Sequence, residues 1–528
     1  MGEAHSLLRS TLSRLADVSP IWWAGFFLLV IFARLLHRTF MHPLRKIPGP
    51  PLAKVTELWR TGRYLRGRWH EDILECHRKY GPVVRLSPNE VSIVSPDLVK
   101  TVFGHSTGSA KTGWYDTWLT LGGGQAGSSV SFFGATNPTQ HGFLRKRVSA
   151  TYSMSAVVSM EGKIQPMLDT TWDRFDEFAK LDQLINLSLW ASYFTYDVVG
   201  TLCLSEPMGF LRDGYDKNGF ISGIHGAFYW ISNLGYLPLQ SGWLLNPVIH
   251  KIARLLRLRL TDYARAFTNF SINKVIQRMQ GGSNKSGDRD MLDHFVDMKG
   301  PRGEPAPLGD ILAEVGNLLA AGADTTSVAI KAVLGPLLKD PARYARLRKE
   351  VDAVFEARNG PAEGSRVLSY NVLKDLPFLT ACIKEGERLH PSIIYQLPRV
   401  APADGFSIEG YYIPPSATIS MSPLAQNRCQ AIFGNDADTW RPERWIPGEG
   451  NSAEIIKEMD KQNATFGYGS RTYVGRNLAT FEVYKFIAQL ITRYNVELLN
   501  PSNPWTVRSS WFAEMDNLHI RLKRRGRS

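Results

Sequence analysis

Cysteine is scarce: four thiols in 528 residues, Cys76, Cys203, Cys382 and Cys429, with no CxxC spacing among them. That scatter excludes a disulfide framework and a cysteine-based zinc site, and fits a reducing compartment. No segment repeats and no tract is of low complexity, which excludes a solenoid. With 30 prolines and 45 glycines at this length, disorder is excluded as the dominant state. Acidic residues are outnumbered, 49 against 62 lysines and arginines, for a net charge of +13. Arg521, Lys523, Arg524, Arg525 and Arg527 carry part of that excess. They read as a solvated tail, the alternative being attraction to anionic lipid or an acidic redox partner. No nucleic-acid-binding motif accompanies the charge. What the chain does have is apolar material, 44% of its residues, enough for a large core.

Residues 1–17 read as amphipathic, with Leu7, Leu8, Leu12 and Leu15 on one side. From Val18 to Ala33 no residue is charged, and Leu35 and Leu36 extend the run past Arg34. A full span needs about 20 residues; Trp22, Trp23 and Arg34 supply interfacial anchors. No small-residue cleavage site follows, so the segment reads as a retained single-pass anchor. Arg34, Arg38, Arg45, Lys46 and Lys54 follow it and only Arg9 and Arg14 precede it, which places the body on the cytoplasmic side. The stretch His42 to Pro51, HPLRKIPGPP, is a stiff hinge whose prolines deny it helix or sheet pairing.

Past the hinge, Tyr80-Gly81-Pro82 ends a helix, and Val83–Leu86 with Val91–Val94 reads as a hairpin around Ser87–Glu90. An irregular aromatic loop lies between Gly113 and Gly134. His141 and Arg145, four apart, share one face of the next helix. Residues 184–250 are rich in aromatics, and Gly281–Asp288 reads as an exposed turn. A long helical period runs from Pro307 to about Leu334, closed by Gly335-Pro336. Inside it, Ala321-Gly322-Ala323-Asp324-Thr325-Thr326 weakens a buried helix, through backbone entropy and competing hydroxyls. Such a cost marks a functional groove or a kinked core helix. Glu385 and Arg388 form an i,i+3 pair on a later helix.

The stretch Phe466 to Ala479, FGYGSRTYVGRNLA, organises the chain. Gly467, Gly469 and Gly475 let its backbone turn tightly and approach something flat and large. An apolar-periodic helix follows, through Leu478, Phe481, Val483, Phe486, Ile487 and Leu490. Loop and helix resemble the haem-binding signature of the cytochrome P-450 family, Phe-Gly-x-Gly-x-Arg-x-Cys-x-Gly. Every fixed position is present but one: Tyr473 stands where the family has its iron-ligating cysteine. Anchor, hinge, AGADTT, ExxR, Arg441–Trp445 and this loop follow one another in family order from about Val18 to Leu490.

The resemblance implies a mainly α fold with small β-sheets (α+β), and three parts: an anchor over 1–40, a hinge over 41–55 and a catalytic domain over 56–528. It implies haem b as cofactor, bound by Phe466, Gly469, Arg471 and Gly475 in the loop, with His141, Arg145 and Arg399 on its propionates and Tyr473 at the metal. Asp324 and Thr325 would relay protons to bound dioxygen. Glu385, Arg388 and Arg444 would form a buried structural network, costly unless every charge is paired. Trp114, Phe132, Phe133, Ile393, Ile394, Trp511 and Phe512 would line a substrate pocket, with Ser392 to Leu397 facing it. Implied partners are membrane lipid, a flavoprotein reductase passing electrons from NADPH, and a hydrophobic small molecule. The implied location is the endoplasmic reticulum membrane. The stretches HPLRKIPGP and YGPVVRLSPNEV have a filamentous-fungal character that points to secondary-metabolite biosynthesis.

Tyr473 bears directly on that chemistry. A thiolate pushes electron density onto iron and favours O–O cleavage, whereas a tyrosine ligates haem in catalase. The phenol is a harder donor, with an ordinary pKa of about 10 against about 8.5 for a thiol. A ferric ion could deprotonate it. Its ring is too long for a loop spaced for cysteine unless loop or haem moves outward. Three readings follow: an oxidative tailoring enzyme of the monooxygenase type; a haem-free or tyrosine-ligated protein guiding a redox-neutral cyclisation or rearrangement; and a catalytically silent binding or scaffold protein.

Overall fold

The uncharged run is helical where it is described, as α1 (Pro20–Leu36), and continues through a π turn to Met41. The computed structural model describes residues 20–526 except 105–106, 108, 123–128, 238–241, 243–245, 256–261, 282–288 and 360–366. The expected amphipathic segment at 1–17 and most of the expected turn at Gly281–Asp288 lie outside the described residues. Ile21–Met41 has a mean hydropathy of 1.5 and none of it is buried against the rest of the protein. By length and composition it can cross a bilayer.

The hinge departs from expectation. Pro43–Lys46 forms a 3-10 turn and Pro51–Val55 a short helix, each with proline in its first turn, where the missing N–H costs nothing. Leu44 and Ile47 are buried against Val83, Val91 and Ile93 of the small sheet. The Arg85 N–H donates to Pro48 O at 2.7 Å. A side chain at Gly49 would meet Arg85 O at 2.3 Å, so only glycine permits that approach. The hinge is docked rather than free.

The body is mostly helical around four small sheets. Helices that frame the site are α2 (Pro138–Ser149), α3 (Leu187–Leu204), α4 (Phe220–Leu234), α5 (Leu308–Lys339), α6 (Pro377–Leu389) and α7 (Arg476–Arg493). In chain order the strands are β1 (Val83–Ser87), β2 (Glu90–Ile93), β3 (Ile185–Asn186), β4 (Arg399–Val400), β5 (Phe406–Ile408), β6 (Tyr411–Ile413), β7 (Thr418–Ser420), β8 (Tyr494–Leu498), β9 (Thr506–Ser510), β10 (Phe512–Asp516) and β11 (His519–Arg524). Among them, β1-β2-β7-β4 form one sheet, parallel only between β2 and β7. A second sheet runs β3-β11-β8, and β9–β10 and β5–β6 are hairpins.

Helix α5 threads the centre, packed along α3, α6 and α7. It is apolar enough to pass as a membrane span, but it is 89% buried in the protein and is a core helix. It does not stop at Gly335-Pro336, as the sequence led us to expect, but runs on to Lys339. Pro336 removes one N–H, a cost of about 3 kcal/mol. Burial of Val333, Leu334 and Leu337 opposes that cost, and α6 closes over the freed carbonyl of Ala332. The helix ends where Asp340 precedes Pro341.

The basic tail is ordered over its described part, with Lys523 and Arg524 exposed to solvent as expected of a tail. It is strand β11 and the residue after it, and its arginines pair with acids: Arg521 with Asp182 at 3.4 Å, Arg524 with Asp176 at 2.8 Å, Arg525 with Asp352 at 2.7 Å.

Candidate active site

The glycine loop closes on itself through Tyr473 N–H donating to Phe466 O at 2.8 Å. Gly467 and Gly469 take positive φ, +70° and +61°, which side chains rarely adopt. A side chain at Gly469 would also meet Phe103 O at 2.3 Å, so this glycine serves the loop's back and is not on the cavity wall. Above the loop lies a cavity of about 330 Å³, walled by Phe466, Gly467, Tyr473 and Gly475 below and by Ala320, Ala321, Thr325 and Ala329 of α5 opposite. Phe132, Phe133, Ile393, Trp511 and Phe512 line it, joined by Trp118 and Phe228. Trp511 sits at φ +87° in the β9–β10 turn, a conformation costing of order 1–3 kcal/mol. Its ring packs against Trp118 at 4.6 Å between centroids.

Two expected pocket residues do not line the cavity. Trp114 is buried behind it, wedged among Tyr115, Trp118 and Tyr236. Ile394 is fully buried in the core; of the stretch from Ser392 to Leu397 only Ser392, Ile393 and Leu397 reach the cavity.

One rim is cationic. His141 and Arg145 of α2, Arg471 of the loop and Lys111 line the cavity, with Arg399 of β4 behind them. Burial, followed by Arg471, Lys111, Arg145 and Arg399, drives the His141 pKa down to about 3. Burial and the same arginines hold the Lys111 ammonium well below its usual range. Arg471 is lowered to about 10 by burial and Arg399. Among the described residues no carboxylate forms an ion pair with Lys111, Arg145, Arg399 or Arg471. Arg471 donates to Ala135 O at 2.8 Å, Arg399 to the Tyr115 hydroxyl at 2.7 Å, and Lys111 to Phe133 O. Lys111 was missed by sequence reasoning, since it belongs to no motif.

On α5, Thr325 faces the cavity while Asp324 does not. The Thr325 hydroxyl donates to Ala321 O at 2.8 Å, a local competitor for the helix's own bond. Asp324 is fully buried, its Oδ2 accepting from the Tyr196 hydroxyl and its Oδ1 facing His225 Nε2, each at 2.9 Å. Neither partner was legible in sequence.

Glu385, Arg388 and Arg444 meet as one network with side chains wholly enclosed. Arg388 grips Glu385 in a fork at 2.8 and 2.9 Å, Arg444 adds a bond at 2.8 Å, and the Trp445 indole donates at 2.9 Å. Remaining guanidinium protons go to the main-chain oxygens of Asn427, Ala437, Phe433, Asp436 and Thr439. Every charge is answered, the condition such a network needs. Glu387, one residue before Arg388, is different: it reaches the cavity wall, one carboxylate oxygen lacks a partner, and burial pushes its pKa up to about 8.

Tyr473 turns its ring over Gly475, where a side chain would meet the phenol oxygen at 2.8 Å. Burial pushes the phenol up to about 12, offset in part by the nearby Thr325 hydroxyl. The ring therefore bridges the loop and α5.

A mostly helical fold, a glycine-loop cavity against a core helix and a cationic rim suit an apolar group that carries anions. The sequence profile of Cytochrome P450 matches residues 48–520. Cytochrome P450 monooxygenase cicH of Emericella nidulans is 32% identical over 97% of this chain and 99% of its own length. Cytochrome P450 monooxygenase asR2 of Sarocladium schorii is 31% identical over 91% of this chain and 93% of its own length. Pisatin demethylase of Fusarium vanettenii is 29% identical over 91% and 90%. The chain belongs to the cytochrome P450 family, and thereby to the oxidoreductases that use haem and electrons from a redox partner.

The site fits haem at its rim: cations without acids suit a group bearing carboxylates. At its centre the fit is conditional. A tyrosine ring reaching from the loop towards Thr325 and a flat macrocycle between loop and α5 exclude one another, so haem requires Tyr473 to leave Thr325.

Proposed function

We propose that this chain is a monooxygenase-type tailoring enzyme acting on a hydrophobic small molecule in fungal secondary metabolism. The observation that carries the reading is the cationic rim, to which no carboxylate is ion-paired among the described residues, on a cavity walled mostly by apolar side chains. In this reading Arg471, Arg145, His141, Arg399 and Lys111 would hold the propionates of haem b, and Tyr473 would hold its iron. Phe466 and Gly475 would help hold the cofactor on the loop side of the cavity. When bound, haem would supply the oxidative chemistry, with electrons from NADPH through a flavoprotein reductase. The chain's own residues exclude water with Phe132, Phe133, Trp511 and Phe512, and hold protons at Asp324 and Thr325. Residues 1–40 would moor the protein in the endoplasmic reticulum membrane as a single-pass anchor. Residues 41–55 would join it to a catalytic domain over 56–528 on the cytoplasmic side.

Tyr473 itself favours a second reading. Its phenol, raised to about 12 by burial and so kept protonated, lines the cavity as a hydrogen-bond donor. A haem-free protein with that arrangement would guide a redox-neutral cyclisation or rearrangement. Absorption spectra of the purified protein, ferric and then reduced under carbon monoxide, separate the two when taken beside Tyr473→Cys. The proposal expects wild type to hold haem with a phenolate-type ferric spectrum, and the variant to turn thiolate-type. Wild type without haem, alongside a variant that gains it, overturns the oxygenase reading.

A further inference from the structure

Asp324 has surroundings that the proposed function leaves unused. Its carboxylate is faced by Tyr196 from α3, His225 from α4 and Glu514 of β10, with Lys331 of its own α5 paired to Glu514. Lys331 pairs with Glu514 at 3.0 Å, and the second Glu514 oxygen lacks a partner. The ring of Phe512 stands 6.3 Å from the His225 imidazole. Burial disfavours a charged imidazole, yet Asp324 and then Glu514 outweigh burial and Lys331, and raise His225 to about 9. One donor atom each from His225, Asp324 and Glu514 lie within 4.8 Å of one another, the spacing of a cation site. Lys331 and His225 already bring the two positive charges that balance the two acids, so a metal ion would be surplus.

The two groups bonded to Asp324 differ in access. Tyr196 is fully buried, and burial and Asp324 hold its phenol well above its ordinary range, so it cannot draw protons from water. His225 is open over 26% of its side chain, while that of Asp324 is 0% exposed.

We propose that His225 is the proton inlet and positioning residue of this site, holding the Asp324 carboxylate in place and passing it protons from solvent. The proposal rests on the reading of Asp324 and Thr325 as the site's proton relay. In the step, the His225 Nε2–H bond breaks and an Asp324 Oδ1–H bond forms, leaving a neutral imidazole and a neutral carboxyl. The bare Nε2 is then the ring's only basic atom, so the imidazole turns it to solvent, where a hydronium ion gives up its proton and restores the imidazolium. Neutralisation removes the charge attraction that ties Asp324 to His225, which frees the carboxyl to turn towards its neighbour Thr325 and the cavity.

The test is an acid jump from pH 8 to pH 4 on the full chain in lipid nanodiscs, followed by time-resolved infrared spectroscopy. The signal is the protonated-carboxyl stretch that Asp324→Asn removes. His225→Gln keeps a hydrogen-bonding side chain but cannot carry a proton, and its band should grow about tenfold more slowly. His225→Lys restores a titratable cation and should recover most of the rate. Equal rates in wild type and His225→Gln overturn the proposal. So does a slow His225→Lys, which would make His225 merely structural, and so does a band that grows in none of the proteins. The relay reading fails separately: Asp324→Asn would then keep wild-type product formation in reductase-driven turnover, whatever the jump shows.

Discussion

Glu387→Gln should flatten the protein's stability between pH 5 and pH 8. The carboxyl is only 7% exposed, one oxygen is unpartnered, and the opposing cation, Lys384, is committed to Asp460 at 2.6 Å. Burial outweighs Lys384, so the folded pKa rises from 4.5 to about 8. Because it is raised, the folded state binds the proton more tightly than the unfolded chain. The group's stabilisation is complete below pH 4.5 and is lost as pH climbs to about 8. Each pH unit in that window is worth about 1.4 kcal/mol, so pH 5 to pH 8 sets a ceiling of about 4 kcal/mol. Water reaching the charged form lowers the figure, and we expect about 1–3 kcal/mol. Glutamine is isosteric and neutral throughout, so the two proteins should unfold alike at pH 5 and the variant should be the more stable at pH 8. Urea unfolding of the full chain in detergent at four pH values reads this directly. Parallel curves for the two proteins, or a gap that widens towards acid, refute the reasoning.

Other substitutions test the frame. Arg444→Met takes one of the two arginines from the enclosed Glu385, leaves Phe433 O without its donor and removes a bond each from Asp436 O and Thr439 O; it should cost about 3–5 kcal/mol, read as a lower urea midpoint. Gly386→Ala drives a methyl to 2.8 Å from both Ala332 O and Val333 Cα, backbone that cannot step aside, and should cost about 1–3 kcal/mol. Gly142→Ala on α2, with nothing within 4 Å, is its control and should stabilise by up to about 1 kcal/mol. Deleting residues before 42 removes the apolar helix, and should move the protein from carbonate-washed membranes into the soluble fraction.

How much of this was readable in sequence depended on how local each signal was. The β1–β2 hairpin, the start of α5 and the helix after the glycine loop are set by neighbouring residues, and their periodicity shows. The far end of α5 is not: Gly335-Pro336 is a local stop that tertiary burial overrides. The Glu385–Arg388 pair is visible as a spacing, but that Arg444 closes it required the family pattern. Lys111 carries no motif, and the pairing of His225 with Asp324 spans 99 residues across two helices. Trp114 and Ile394 show the limit for apolar side chains. A tryptophan behind a cavity and one lining it have the same composition, and only packing tells them apart.

Strand β11 has a consequence for synthesis. It zips between β8 and β3, and just before it the Leu518 N–H bonds to the Ser188 hydroxyl, 330 residues away in sequence. Helix α3 begins at Leu187, whose own N–H is taken by Leu518 O. A chain still on the ribosome thus exposes an unfinished sheet edge until residue 524 has emerged, with α1 by then free to seek a bilayer. Long-range closure of this kind is slow and leaves strand edges open to other chains. Were α1 captured early by a membrane, the waiting chains would be held apart from one another, and the apolar helix would serve assembly before it serves the finished protein.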